Sequence, residues 1–194
     1  PDGQRNSAGR PPHRNENGAG DDRPSRGGGP ELACGPALTA AARVRRRAHE
    51  TGTHIMCLGT SVKFDDRIWP PVIGLALPES DRAVQAARRF VSLADDIECP
   101  YLRVFGFESH GSEKPSKTLE RVVERLRWAL DAAAKRRVKI VFENGGSFAA
   151  AEQLAEVLDA CNSPWLGACY NIAVGAEAGD NVTDAIDLLA EHLW

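Results

Sequence analysis

The sequence predicts an α/β fold, a parallel sheet of about four strands with helices as the crossovers. Three observations predict it. Short apolar runs alternate with amphipathic helical patterns in the order β-α-β-α-β-α-β-α, which is the pattern of parallel strands joined by helices. The runs recur every roughly 30 to 45 residues, the length of a strand-plus-helix unit. The clearest run, Val138-Lys139-Ile140-Val141-Phe142-Glu143, is almost wholly apolar and stops on a carboxylate. A strand buried on both faces has no room for polar alternation. The edge beyond the C-terminal ends of such strands is where α/β folds place their chemistry.

The first segment carries none of this. Pro1 to Pro30 is mostly Gly, Pro, Arg, Asn and Asp, with Ala8 and Ala19 its only apolar side chains besides proline. It cannot bury enough surface to offset its ordering entropy, so residues 1–35 are expected to be a disordered tail and 36–194 the folded domain. The first helix follows, with Thr39 or Pro36 near its start, Leu38, Ala41, Ala42, Val44 and Ala48 on one face, and Gly52 as its stop. Arg43, Arg45, Arg46 and Arg47 read as a solvated helix face rather than a phosphate site. His54-Ile55-Met56-Cys57-Leu58 is the expected first strand, and Gly59 to Glu79 a long polar loop in which Val72-Ile73-Gly74-Leu75 covers the sheet or an edge.

Ser80 or Asp81 caps the second helix, whose apolar positions are Ala83, Val84, Ala87, Phe90, Val91, Ala94 and Ile97. Cys99-Pro100 breaks it, and Tyr101 to Gly106 is the second strand. After a loop through Glu108, His110 and Pro115, a helix opens at Ser116 or Lys117 with Leu119, Val122, Val123, Leu126, Leu130 and Ala133 as its stripe. Glu120, Glu124, Arg121, Arg125 and Arg127 read as solvated charges around it. The third strand, Val138 to Glu143, precedes a helix over Ala149 to Cys161 capped by Ser147. Pro164 ends that helix. Trp165 to Tyr170 is the fourth strand, ending at Asn171, and a Gly-rich loop from Gly175 to Asp180 leads to a last helix from about Asn181 to His192.

Composition narrows the function. A net charge of −3 gives no electrostatic reason to expect nucleic acid. No apolar run is long enough to span a bilayer, and the start lacks the apolar stretch of a signal peptide. The five cysteines make no Cys-x-x-Cys pair and read as reduced thiols in a cytoplasmic protein.

Two closures fit the strand pattern, an open doubly wound sheet and a (β/α)8 barrel. A full barrel takes about 250 residues; residues 36–194 with four strands make half of one. The polar residues at the strand tops are Glu143, Asn171, Glu108 and His110, with Arg103 inside the second strand, where a charge needs a partner. Carboxylate and amide oxygens at adjacent strand ends can hold a hard divalent ion such as Mg²⁺ or Mn²⁺.

Cys99-Pro100-Tyr101-Leu102-Arg103-Val104-Phe105-Gly106, Lys139-Ile140-Val141-Phe142-Glu143-Asn144 and Trp165-Leu166-Gly167-Ala168-Cys169-Tyr170-Asn171 together resemble the sugar phosphate isomerase/epimerase family. The resemblance covers residues 38 to 194. It implies a xylose isomerase-like TIM barrel, here a partial one. It also implies metal-assisted proton transfer beside the carbonyl of a sugar or sugar phosphate, through an enediolate. Glu143 would be catalytic and a ligand of a divalent metal. Asn171 would be the second ligand, where the family usually has aspartate. Arg103, Glu108 and His110 would contact substrate. The family's later histidine and glutamate ligands have no counterpart, so the alternative is a non-catalytic partial barrel, self-associating through open edges at the His54 and Trp165 strands. A DNA-repair endonuclease of the same superfamily would need strand-end histidines that Leu58-Gly59-Thr60 and Phe105-Gly106-Phe107 lack.

Overall fold

The computed structural model describes residues 39–65 and 81–194. The expected tail, Pro36, Leu38, the Val72 to Leu75 run and Ser80 lie outside them. The described chain runs α1 (Ala40–Thr51), β1 (Cys57–Lys63), α2 (Arg82–Asp96), β2 (Tyr101–Phe105), α3 (Pro115–Arg136), β3 (Lys139–Glu143), α4 (Ala151–Cys161), β4 (Leu166–Cys169), α5 (Ile172–Glu177) and α6 (Val182–Leu189). The four strands form one sheet in the order β1-β2-β3-β4, and every neighbouring pair is parallel. This is the half-barrel arrangement of strands and flanking helices expected from the alternation.

Helix boundaries follow local chemistry. The Thr39 hydroxyl accepts the Ala42 N–H, and Gly52 closes α1 in the left-handed conformation at φ 63°. Asp81 caps α2 by accepting the Val84 N–H at 3.0 Å. Pro115 occupies the first turn of α3, where a missing N–H costs nothing, so this helix opens before the expected Ser116. α4 begins later than expected and without Ser147. The Gln153 side chain accepts the Ala150 N–H and Asp180 Oδ2 accepts the Ala151 N–H, while Ser147 Oγ accepts the Ser109 N–H instead.

The core lies between the sheet's helix-facing side and α2, α3 and α4. Leu102 and Val104 of β2, Ile140 and Phe142 of β3 and Ala168 of β4 meet Val84, Val91, Val122, Leu126, Leu154 and Val157, all buried. Burying a Leu or Phe side chain contributes about 1.5–3 kcal/mol, so this layer holds the strands in register. The other face of the sheet, the inside of the half barrel, carries rows across the register: Tyr101 beside Lys139, Arg103 beside Val141, and Phe105 beside Glu143, itself paired with Cys169.

Further expectations change. The first strand is Cys57–Lys63 rather than His54 to Leu58. Its signal is alternation, with Thr60 and Val62 buried and Gly59, Ser61 and Lys63 exposed, and Thr60 Oγ1 donates to the Arg103 carbonyl at 2.6 Å. The Gly-rich stretch after β4 is partly helical, as α5. Finally, α6 ends at Leu189 and the last residues leave the helix. Leu193 makes a parallel bridge to Ala168, the Ala168 N–H donates to the His192 carbonyl at 2.7 Å and the Trp194 N–H to the Ala168 carbonyl at 3.4 Å. The β4 edge is therefore partly paired, not open as expected. Trp194 lies over Gly167, where a Cβ would come within 2.4 Å of the indole, and the Lys139 ammonium sits 3.8 Å from its ring centroid.

Two arginines read as solvated are buried or nearly so. Arg125 is 2 % exposed; its Nε donates to Asp81 Oδ2 at 2.7 Å and its Nη1 to the Phe64 carbonyl at 2.8 Å. Arg121 donates to Glu113 Oε2 at 2.7 Å and to the Phe64 and Asp65 carbonyls. The carbonyls just past the end of β1 need donors, and α3 supplies them.

Candidate functional site

The sheet brings three of the expected residues together. Glu143 ends β3, with its side chain 11 % exposed. Its Oε1 accepts a hydrogen bond from Asn171 Nδ2 at 3.3 Å. Its Oε2 lies 2.9 Å from Arg103 Nη1. Arg103 starts one row lower, opposite Val141, and its side chain reaches up to the carboxylate. The Arg103–Glu143 contact is close but poorly aligned, because Glu143 Oε2 and Arg103 Nε are both buried without a hydrogen-bond partner. Charge neutralisation, rather than a directional bond, holds the pair.

Asn171 caps α5. Its Oδ1 accepts the Val174 N–H at 3.4 Å, and its Nδ2 faces Glu143. Both contacts demand the same amide orientation, oxygen to the helix and nitrogen to the carboxylate. Asn144, which the sequence reading used only as part of a motif, fixes the geometry. It is 2 % exposed. Its Oδ1 accepts the Asn171 N–H at 2.5 Å, and its Nδ2 donates to the carbonyls of Ala149 and Asn171 at 2.8 and 3.2 Å. A polar residue directly after a strand-end carboxylate was the available signal. A second brace lies below α5: the Tyr170 hydroxyl donates to Asp180 Oδ2 at 2.7 Å. Burial, with the Asp180 carboxylate beside it, pushes that phenol up to about 12.

The loop after β2 holds the other two expected residues. Glu108 is exposed, with its Oε1 against Gly146 of the loop after β3. Ser109 N–H to Ser147 Oγ at 2.8 Å and Ser147 N–H to the Phe107 carbonyl at 2.7 Å tie those two loops together. His110 is half-buried. Its Nε2 is hydrogen-bonded to the Asp65 carbonyl beyond β1. Cys169, beside Glu143, has its thiol raised by burial first and then by the nearby Glu143 charge.

A strand-end acid on the inner rim of a parallel α/β half barrel defines a β/α-barrel protein. The family model described as xylose isomerase-like TIM barrel matches residues 28–192, and the chain belongs to that family. The sequence matches no curated protein. Among solved structures, a xylose isomerase domain protein from Planctomyces limnophilus is 20% identical, with a TM-score of 0.61 over 79% of this chain and 56% of that one. The apo form of 3-keto-D-glucoside 4-epimerase from E. coli is 12% identical, with a TM-score of 0.65 over 79% and 61%. The IolI protein with a bound zinc atom is 14% identical, with a TM-score of 0.58 over 74% and 51%. These likenesses are likenesses of fold. The chain spans about half the length of the structures it matches.

The expected metal pair, Glu143 and Asn171, does not fit a divalent ion in this arrangement. Both Glu143 oxygens face donors, and the Asn171 oxygen is turned to α5. Hard cations take several oxygen ligands. Among the described residues no group of three His, Cys, Asp or Glu side chains is placed to hold an ion, and no helix is long and apolar enough to cross a membrane.

Proposed function

We propose that this chain forms the acid-bearing half of a sugar isomerase or epimerase site, acting on a sugar or sugar phosphate. In this reading the Glu143 carboxylate takes a proton from the carbon beside the sugar carbonyl. The C–H electron pair forms the enediolate, the hydroxyl proton on that carbon passes to the former carbonyl oxygen, and the Glu143 carboxylic acid delivers its proton to the neighbouring carbon on the same face; inversion at the first carbon would take a second acid on the opposite face. Arg103, already beside the carboxylate, stabilises the oxyanion of the enediolate. Glu108 and His110, on the loop over the same edge, contact sugar hydroxyls. Asn171 and Asn144 hold the carboxylate in place.

The observation that carries the reading is the buried Glu143 Oε2, an acceptor without a hydrogen-bond donor at the C-terminal edge of a family barrel. A solved structure of similar fold holds a zinc atom; the residues at this edge do not fit such an ion, and no step is assigned to one. The competing reading, a partial barrel that binds without turnover, draws on the Arg103 charge and the Asn171 hydrogen bond that already neutralise and hold the Glu143 carboxylate. Assay of the purified chain on a panel of ketoses, aldoses and their phosphates separates the two. Interconversion lost in Glu143→Gln supports the isomerase; sugar binding with no interconversion of any panel member supports the competitor.

A further inference from the structure

We propose that the inner rim of the half barrel binds an anionic end group of its ligand, a phosphomonoester, and that Lys63 is the residue that binds it. For the position of the ligand the proposal rests on the proton-transfer reading of Glu143; it adds the residue that tells a phosphorylated sugar from a free one.

Lys63 ends β1 and stands beside Phe105, which stands beside Glu143. Along that row two strand spacings, about 10 Å, separate Lys63 from the carboxylate. A ligand with its carbonyl end at Glu143 presents the far end of a pentose or hexose chain, where a sugar phosphate is charged, near Lys63. The lysine is exposed, and a ring positions its ammonium: Nζ lies 4.0 Å from the Phe107 ring centroid. That ring is itself fixed. Phe107 takes φ 68°, a conformation that a bulky residue adopts only where its surroundings impose it. Here the Ser147 N–H donates to the Phe107 carbonyl at 2.7 Å, and Gly146 leaves room for that oxygen, which a Cβ would approach to 2.6 Å. Phe107 in turn meets Phe105 edge-on at 5.6 Å between centroids. Arg103, the neighbouring cation, is matched by Glu143. Lys63 makes no ion pair among the described residues, with Glu108 on the same rim or with any other acid. The inner rows carry Lys63, Arg103 and Lys139 against the single carboxylate of Glu143, in a chain whose net charge is −3. That local excess of positive charge draws anions to the concave face. An ammonium is a compact point charge suited to phosphate, whereas the planar fork of a guanidinium suits a carboxylate.

The affinities of D-ribulose 5-phosphate and D-ribulose for wild type, Lys63→Gln and Lys63→Arg, measured by calorimetry at low ionic strength, test this without any turnover. Wild type is expected to prefer the phosphate by about tenfold or more, the scale of one hydrogen bond to a charged group. Lys63→Gln should abolish that preference, and Lys63→Arg should keep most of it. Equal affinity of wild type for the two sugars, binding of neither, or a preference that survives in Lys63→Gln overturns the proposal. So does an equal, Lys63-dependent gain for 5-keto-D-gluconate, a keto sugar with a carboxylate end, which would assign the position to a carboxylate. Should Lys63→Gln fail to fold, salt decides in wild type: the preference is expected to shrink at high salt, and a preference indifferent to salt overturns the proposal. The two readings fail separately. A Lys63-dependent preference with no deuterium exchange into either sugar sinks the proton-transfer reading and leaves the anion site standing; exchange into both sugars, bound equally well, does the reverse.

Discussion

Arg103 and Glu143 lie on neighbouring strands, one inner row apart, and the guanidinium crosses that row to bring Nη1 within 2.9 Å of Oε2. Their interdependence is measurable. Arg103→Gln removes the counter-charge of a buried carboxylate. A fully buried pair broken in this way costs about 3–5 kcal/mol; the partial exposure of Arg103 reduces this to about 1–2 kcal/mol. Urea unfolding should show that loss, and Glu143→Gln made in the same chain should recover part of it. Strict additivity of the two changes would mean that the pair carries no coupling.

The Asp81–Arg125 pair should be the more sensitive of the two. Its side chains are 5 % and 2 % exposed, and Asp81 also caps α2. Arg125→Met leaves Asp81 charged and dry, and should cost about 3–5 kcal/mol. It also strips the Phe64 carbonyl of a donor. Denaturant midpoints check this, and a loss below about 1 kcal/mol would place the pair among solvated ones.

Glu113 gives a pH dependence with a definite sign. The Arg121 guanidinium holds its carboxyl at about 2, below the ordinary 4.5, with Thr118 assisting against the opposing effect of burial. A folded pKa below the unfolded one contributes stability above the unfolded value, and that stability is lost as pH falls from about 4.5 towards about 2. A carboxyl-carbon NMR titration should find the Glu113 midpoint near the lower figure in wild type and near the ordinary value in Arg121→Gln. The same substitution should flatten the acid limb of the stability curve.

Much of this fold was legible in the chain. β2, β3 and β4 announced themselves as apolar runs because both faces are covered or nearly so, and the α2 and α3 stripes gave the buried residues Val84, Val91, Val122 and Leu126 correctly. β1 was misplaced because its residues alternate between small polar and apolar types, and Thr60 is buried through a bond to the carbonyl of Arg103 in the next strand, which spacing within β1 does not record. Arg121 and Arg125 were misread because spacing along a helix records neighbours on that helix and is blind to Glu113, Asp81 and the carbonyls past β1. The approach of Asn171 to Glu143 followed from adjacent strand ends. The direction of its amide did not, because a helix beginning at Ile172 fixes it.

The central claim is that Glu143 moves a proton at a sugar carbon. Incubation of the purified chain with ketoses and their phosphates in D₂O, followed by proton NMR of the recovered sugar, tests it without requiring complete turnover. The account predicts deuterium at the carbon beside the carbonyl of at least one sugar, with Glu143→Gln reducing the rate by a factor of about 100 or more, the scale of a lost general base. Wash-in that persists undiminished in Glu143→Gln, or its absence from every sugar tried, would contradict the account.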